Sequence, residues 1–224
     1  MRIRLQVFAS LLVFCTMSAV AVPKPHVITF GKWTPAKWDV GSADGKSLDL
    51  KIRALYVDTR LKEFITGPAH EVTDRLFVVR RVFRLNDTLP EEGAGAPKSV
   101  WQRGGWLLVD RVTGHVTQVN LPEFDPFYST PSWGRDYVAY CGVSDDGKKF
   151  FAMVAQLGRH QPILKIPLGE PDGDEMPDSE CPAPAWQRRP TRVTFEPDEN
   201  QKLTFSVKGH AVDVVMEADE EDGE

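Results

Sequence analysis

The sequence predicts an all-β protein: four antiparallel multi-strand units in a small or partial β-propeller-like array, with a β-sandwich as the alternative. Three observations carry this. After residue 21 no long segment places apolar residues at i, i+3, i+4 and i+7, whereas period-2 and short β-branched or aromatic runs are frequent. Pro and Gly, 17 of each, punctuate the chain every few residues. Hairpin-like segments begin near residues 48, 105, 149 and 202. A repeat of roughly 40 to 50 residues with several strands is the size of a propeller blade, which buries its faces by stacking on its neighbours.

The elements follow in order. Unit one has a strand at 26–33, a turn at Asp44-Gly45-Lys46, and strands at 48–57 and 61–65. Unit two has a strand at 76–85, a Pro/Gly-rich loop at 90–97, and a hairpin of 106–110 and 115–119 around Val112-Thr113-Gly114. Unit three places strands at 137–143, 149–157 and 162–166, the first pair joined by Asp145-Asp146-Gly147-Lys148. Unit four has strands at 192–196, 202–207 and 210–216, the last two joined at Lys208-Gly209. Gly and Asp at these joints supply the turn backbone that β-branched residues resist. Pro131-Ser132-Trp133 echoes Pro184-Ala185-Trp186, so the two Trp are expected to be buried at the openings of equivalent units.

The N-terminus reads as an export signal. Arg2 and Arg4 precede an apolar run over residues 5–14, and Ala19-Val20-Ala21 is a small-residue cleavage site. Residues 1–21 are therefore assigned to a signal peptide, 22–216 to the β-repeat domain and 217–224 to an acidic tail. The expected location is periplasmic or extracellular, without a membrane span, since the apolar run is too short to cross a bilayer. Cleavage leaves 25 basic and 32 acidic residues; six of the acids lie in the tail, so the domain itself is near neutral. The tail is expected to remain disordered, since like charges in a row bury nothing. A near-neutral domain excludes nucleic acid as the expected partner. Cys141 and Cys181 are the two Cys left after cleavage, and an oxidising compartment favours a disulfide between them.

One stretch resembles a known family. Pro131-Ser132-Trp133-Gly134-Arg135-Asp136-Tyr137-Val138-Ala139-Tyr140, followed by Asp146-Gly147-Lys148-Lys149-Phe150-Phe151, is similar to the TolB-type β-propeller repeat. So is the run from Gly105 to Thr117, a strand ending in Asp110 with a turn at Thr113-Gly114. Gly134-Arg135-Asp136 departs from the Ser-Pro-Asp-Gly turn of that family. The likeness spans residues 100–168. It implies a propeller-like fold and a protein-binding or scaffolding role, and carries over no catalytic residue.

Motifs for phosphate, dinucleotide, zinc or serine-hydrolase chemistry are absent. No cofactor or metal is called for. His26, His70, His115, His160 and His210 are scattered, and the acidic loop with Asp172, Asp174, Glu175 and Asp178 lacks the EF-hand order. Asn86-Asp87-Thr88 has the form of a glycan acceptor, which counts only in a eukaryotic source; the TolB-type resemblance leans bacterial, so no glycan is expected. Six Trp are many. Trp33, Trp38, Trp101 and Trp106 flank loops and are the candidate exposed binding residues. The expected function is a secreted, non-enzymatic protein that binds a protein or a glycan. The alternative is a secreted hydrolase using Asp110, Asp125, Asp136 and His115 from different units.

Overall fold

The computed structural model describes residues 25–39, 47–86, 99–169, 181–198, 201–209 and 211–214. The expected signal peptide, the acidic tail, the Pro/Gly-rich loop, the Asp172 loop and His210 lie outside them. Among the described residues the fold is all-β, with fifteen strands and no helix.

The chain begins with β1 (Ile28–Phe30), β2 (Thr34–Asp39), β3 (Ser47–Val57), β4 (Arg60–Glu71), β5 (Leu76–Asn86), β6 (Ser99–Asp110) and β7 (Val116–Val119). Units one and two merge here into one seven-stranded sheet. Each of β2 to β5 pairs antiparallel with the next strand, and β6 returns to pair with β2 at Trp38 and Trp101. Five strands is an odd number, so the closing pair must be parallel, as it is. The pairings therefore run round a closed circuit, and each of β2 to β6 has a strand partner on both edges.

β6 starts seven residues before the strand expected at 106–110, and it runs through Gly104-Gly105. Glycines weaken a strand, but they also mark bulges and close approaches. The register of β5 on β6 shifts between Arg80 and Val82, and a Cβ at Gly104 would touch the Phe83 ring at 3.3 Å. The β3–β4 turn was equally hard to read. Asp58 and Thr59 both have positive φ, 49° and 67°, where hairpins favour Asn-Gly. Asp58 is held there by the backbone N–H of Val27, 3.0 Å away, and by the His26 ring.

Units three and four are separate four-stranded meanders. The first contains β8 (Ser132–Gly134), β9 (Tyr137–Val143), β10 (Phe150–Gln156) and β11 (Leu164–Gly169); the second contains β12 (Ala185–Arg188), β13 (Thr191–Asp198), β14 (Gln201–Lys208) and β15 (Ala211–Val214). β9 and β10 are buried on both faces. Ala139, Cys141, Val143, Ala152 and Val154 join Val193, Phe195 and Phe205 of the last sheet in one core. Val138, Tyr140, Phe151 and Met153 form another on the opposite face, with Leu121, Phe124 and Trp133 packed against it. Cover on both sides explains why these strands read as continuous apolar runs. A third core, of Leu55, Ile65, Phe77, Val79, Leu107 and Val109, lies on one face of the large sheet.

Cys141 and Cys181 form a disulfide, with Cα atoms 6.2 Å apart and both residues buried in the core shared by the two small sheets. Trp133 and Trp186 are half-buried, each on the opening strand of its sheet and facing the preceding one. Trp133 meets Trp106 of the large sheet edge to face, with ring centroids 5.3 Å apart. Trp186 lies against Gly134 and donates its indole N–H to the Ser132 carbonyl at 3.0 Å.

Candidate functional site

The four candidate Trp go to different surroundings. Trp33 sits on the bend between β1 and β2 and is 44% exposed. Trp101 is half-buried, edge to face with Phe64 at 5.2 Å and covered by the Arg84 guanidinium at 5.3 Å. Trp38 is only 2% exposed. The Arg103 guanidinium lies 3.5 Å over its ring, Phe127 stacks on it at 5.6 Å, and its N–H donates to Gln102 at 3.0 Å. It closes the strand circuit from inside, so the expectation of an exposed Trp38 is corrected. Trp106 is 9% exposed and packs on Trp133, so it too is an interior residue. Loop-flanking position in the sequence did not reveal that β6 meets β2 at Trp38 and packs Trp106 against the next sheet.

Trp101 lines a cleft of about 530 Å³ together with Lys32, Arg53, Arg84, Tyr56 and Phe64. The elements explain the gathering. Ile52, Ala54 and Tyr56 share one face of β3, where Ala54 faces Phe64 across the β3–β4 pair, while Arg53 between them turns its guanidinium to Phe30 and Trp33 on the other. Arg84 and Trp101 are paired in register across β5 and β6. The bend after β1, anchored by Gly31 N–H to the Ala54 carbonyl at 2.8 Å, brings Lys32 alongside. Among the described residues no carboxylate lines this cleft.

Arg53 is the least expected member. Its guanidinium lies 4.0 Å from the Phe30 ring centroid and 4.3 Å from that of Trp33, and its Nε is buried without a hydrogen-bond partner. Burial lowers its pKa from the ordinary arginine value. Lys32, Arg53 and Arg84 have no ion pair or hydrogen bond among the described residues. Four other cations on or beside the sheet are ion-paired: Arg75 with Asp110, Arg81 with Glu63, Arg111 with Glu71 and Lys37 with Asp49. Sequence reasoning missed the group because its cations come from three distant positions. The signal available was one charge, Arg53, inside the apolar run of β3. Arg80, Arg81 and Arg84 are close in sequence but diverge in the fold: Arg80 donates to the carbonyls of Gly104 and Pro126, Arg81 pairs with Glu63, and Arg84 reaches this cleft.

A second cleft, of about 480 Å³, lies where the large sheet meets the next, lined by Thr66, His70, Arg80, Trp106 and Trp133 among others. It is largely committed to joining the sheets. His70 Nε2–H donates to the Arg135 carbonyl at 2.8 Å, and its ring stacks on Trp133 at 5.9 Å. Neighbouring Glu71 is held by Arg111, which keeps its carboxyl below the ordinary pKa.

The residues of the hydrolase alternative have local duties. Asp110 accepts from Arg75 and from the N–H groups of Val112 and Thr113. Asp125 caps its own turn through the N–H groups of Phe127 and Tyr128 at 2.7 Å. Asp136 accepts from Gln156 at 2.7 Å, and His115 is exposed on the β6–β7 connection. No side-chain hydrogen bond joins any two of them. Among the described residues no three His, Cys, Asp or Glu are grouped to hold a metal ion. Comparison with family models, curated proteins and solved structures finds no match to this chain.

Proposed function

We propose that this chain is an exported, non-enzymatic binding protein that holds a glycan or a polypeptide at the cleft of Lys32, Arg53, Arg84 and Trp101. The observation that carries this reading is a cleft lined by Lys32, Arg53 and Arg84, none of them ion-paired among the described residues, around the Trp101 ring and without a described carboxylate. Uncompensated, partly desolvated charge is costly, and a ligand that supplies the missing acceptors offsets that cost. Exposed Trp33 beside the cleft offers a flat apolar face of the kind that sugars and peptides use.

Export is supported by the leader-like N-terminus and by a buried disulfide, which suits an oxidising compartment. The propeller-like reading, and with it the TolB-type resemblance, is supported by two successive four-stranded meanders whose first strands each carry a Trp against the sheet before. The test is a screen of the chain from Val22 onward on glycan and peptide arrays, repeated with Trp33→Ala and Trp101→Ala. Binding weakened by either substitution, with circular dichroism unchanged, supports the reading. Binding indifferent to both, or turnover of the bound ligand, refutes it.

A further inference from the structure

Resting on that reading, we infer that the ligand is an acidic glycan, whose carboxylate or sulfate groups meet the edge of Arg84 and the Lys32 ammonium while its sugar rings lie on the exposed aromatic faces. The argument starts from how the guanidinium groups are presented. Phe30 and Trp33 flank Arg53, and Trp101 lies under Arg84. A guanidinium stacked on rings keeps its N–H donors for groups lying in its own plane. Planar or tripodal oxyanions match that fork with two parallel hydrogen bonds. Lys32 adds a third positive charge as an untethered point donor.

The fold then favours a sugar over a peptide. An extended peptide gains most of its affinity by adding to an open sheet edge. Here each of β2 to β6 already has a strand partner on both sides, and β1, which pairs with β3 alone, is three residues long, so recognition falls to side chains. Trp33, at 44% exposed, and Phe30, at 37%, supply stacking faces beside the charge. Nucleic acid fits poorly, because tracking its phosphates needs a long basic surface and this cleft offers a local group of cations.

The experiment measures binding of the chain from Val22 onward to polygalacturonate, dextran sulfate, neutral dextran and poly-glutamate, at low and at about 0.3 M salt. The exposed variants Arg84→Gln and Lys32→Gln carry the test, since Arg53 is half-buried in β3. The expected result is binding of one acidic polysaccharide, with the carboxylate and sulfate arms showing which. Neutral dextran should not bind. Arg84→Gln should weaken binding on the order of 10-fold, equivalent to about 1.4 kcal/mol, and added salt should weaken it further. Equal binding of neutral dextran, or an Arg84→Gln variant that binds like the parent, overturns the inference. If that neutral binding is lost in Trp101→Ala, the broader binding reading survives. Preference for poly-glutamate overturns the glycan assignment alone. No binding to any of the four overturns the inference, and the arrays then decide the broader reading separately.

Discussion

Replacing Gly134 by Ala tests the packing between the two small sheets. A Cβ on Gly134 would lie 2.7 Å from Cδ2 and 2.9 Å from Cε2 of Trp186, well inside contact distance. The backbone of Gly134 is not in the left-handed region, so the only obstacle is the indole. Trp186 must withdraw, which loosens its hydrogen bond to Ser132 and its contact with Tyr137 at 6.3 Å. Overpacking of this kind costs about 1–3 kcal/mol, and the lost hydrogen bond about 1 kcal/mol more. The expected destabilisation is therefore about 2–4 kcal/mol, read from the urea midpoint at constant slope by fluorescence. A double-mutant cycle isolates the cause. In a Trp186→Ala background the Gly134→Ala cost should fall below about 0.5 kcal/mol, because the clash partner is gone. A cost that persists there, or a neutral Gly134→Ala in the parent, refutes the reasoning.

Thr59→Gly should stabilise the protein by about 1 kcal/mol in thermal or urea unfolding, because Thr59 holds a φ of 67° that a β-branched residue resists. Cys141→Ala with Cys181→Ala should cost about 4 kcal/mol by the chain-entropy argument for a separation of 40 residues, measured against the oxidised parent. Asp110 is held well below the usual carboxylate range, first by the Arg75 hydrogen bonds. Its folded pKa is depressed, so its stabilisation is present above pH about 4 and is lost as the pH falls through the lower folded value. Asp110→Asn should flatten the acid limb of the stability–pH curve, and an unchanged limb would exclude this pair as its source.

The sequence showed the strand content and the two small meanders well, because Gly and Asp turns frame short apolar runs there. It showed the large sheet poorly. The Asp58-Thr59 turn lacks glycine, and Gly104-Gly105 looks like a break where the structure has a bulged strand. Two predicted units fuse because β6 comes back to β2, a pairing with no local signature. The candidate site was half legible. Trp101 lines the cleft and Trp33 stacks on Arg53 of its lining, while Trp38 and Trp106 are interior because of tertiary packing. Arg53 could not be ranked above any other charge until its two flanking rings were in place.

The parallel seam between β2 and β6 has a kinetic consequence. Every other pairing in the circuit joins strands adjacent in sequence, whereas the Trp38 indole donates to Gln102 across a separation of 64 residues. Closing so long a loop is entropically expensive, so the hairpins of the meander are expected to zip first and the seam to join last. A contact made late is absent from the folding transition state. Weakening it should then accelerate unfolding and leave the refolding rate nearly untouched. The same seam, secured by a single residue pair, is where amide exchange should first report local opening. Trp38 would thus set how long the circuit stays shut more than how quickly it forms.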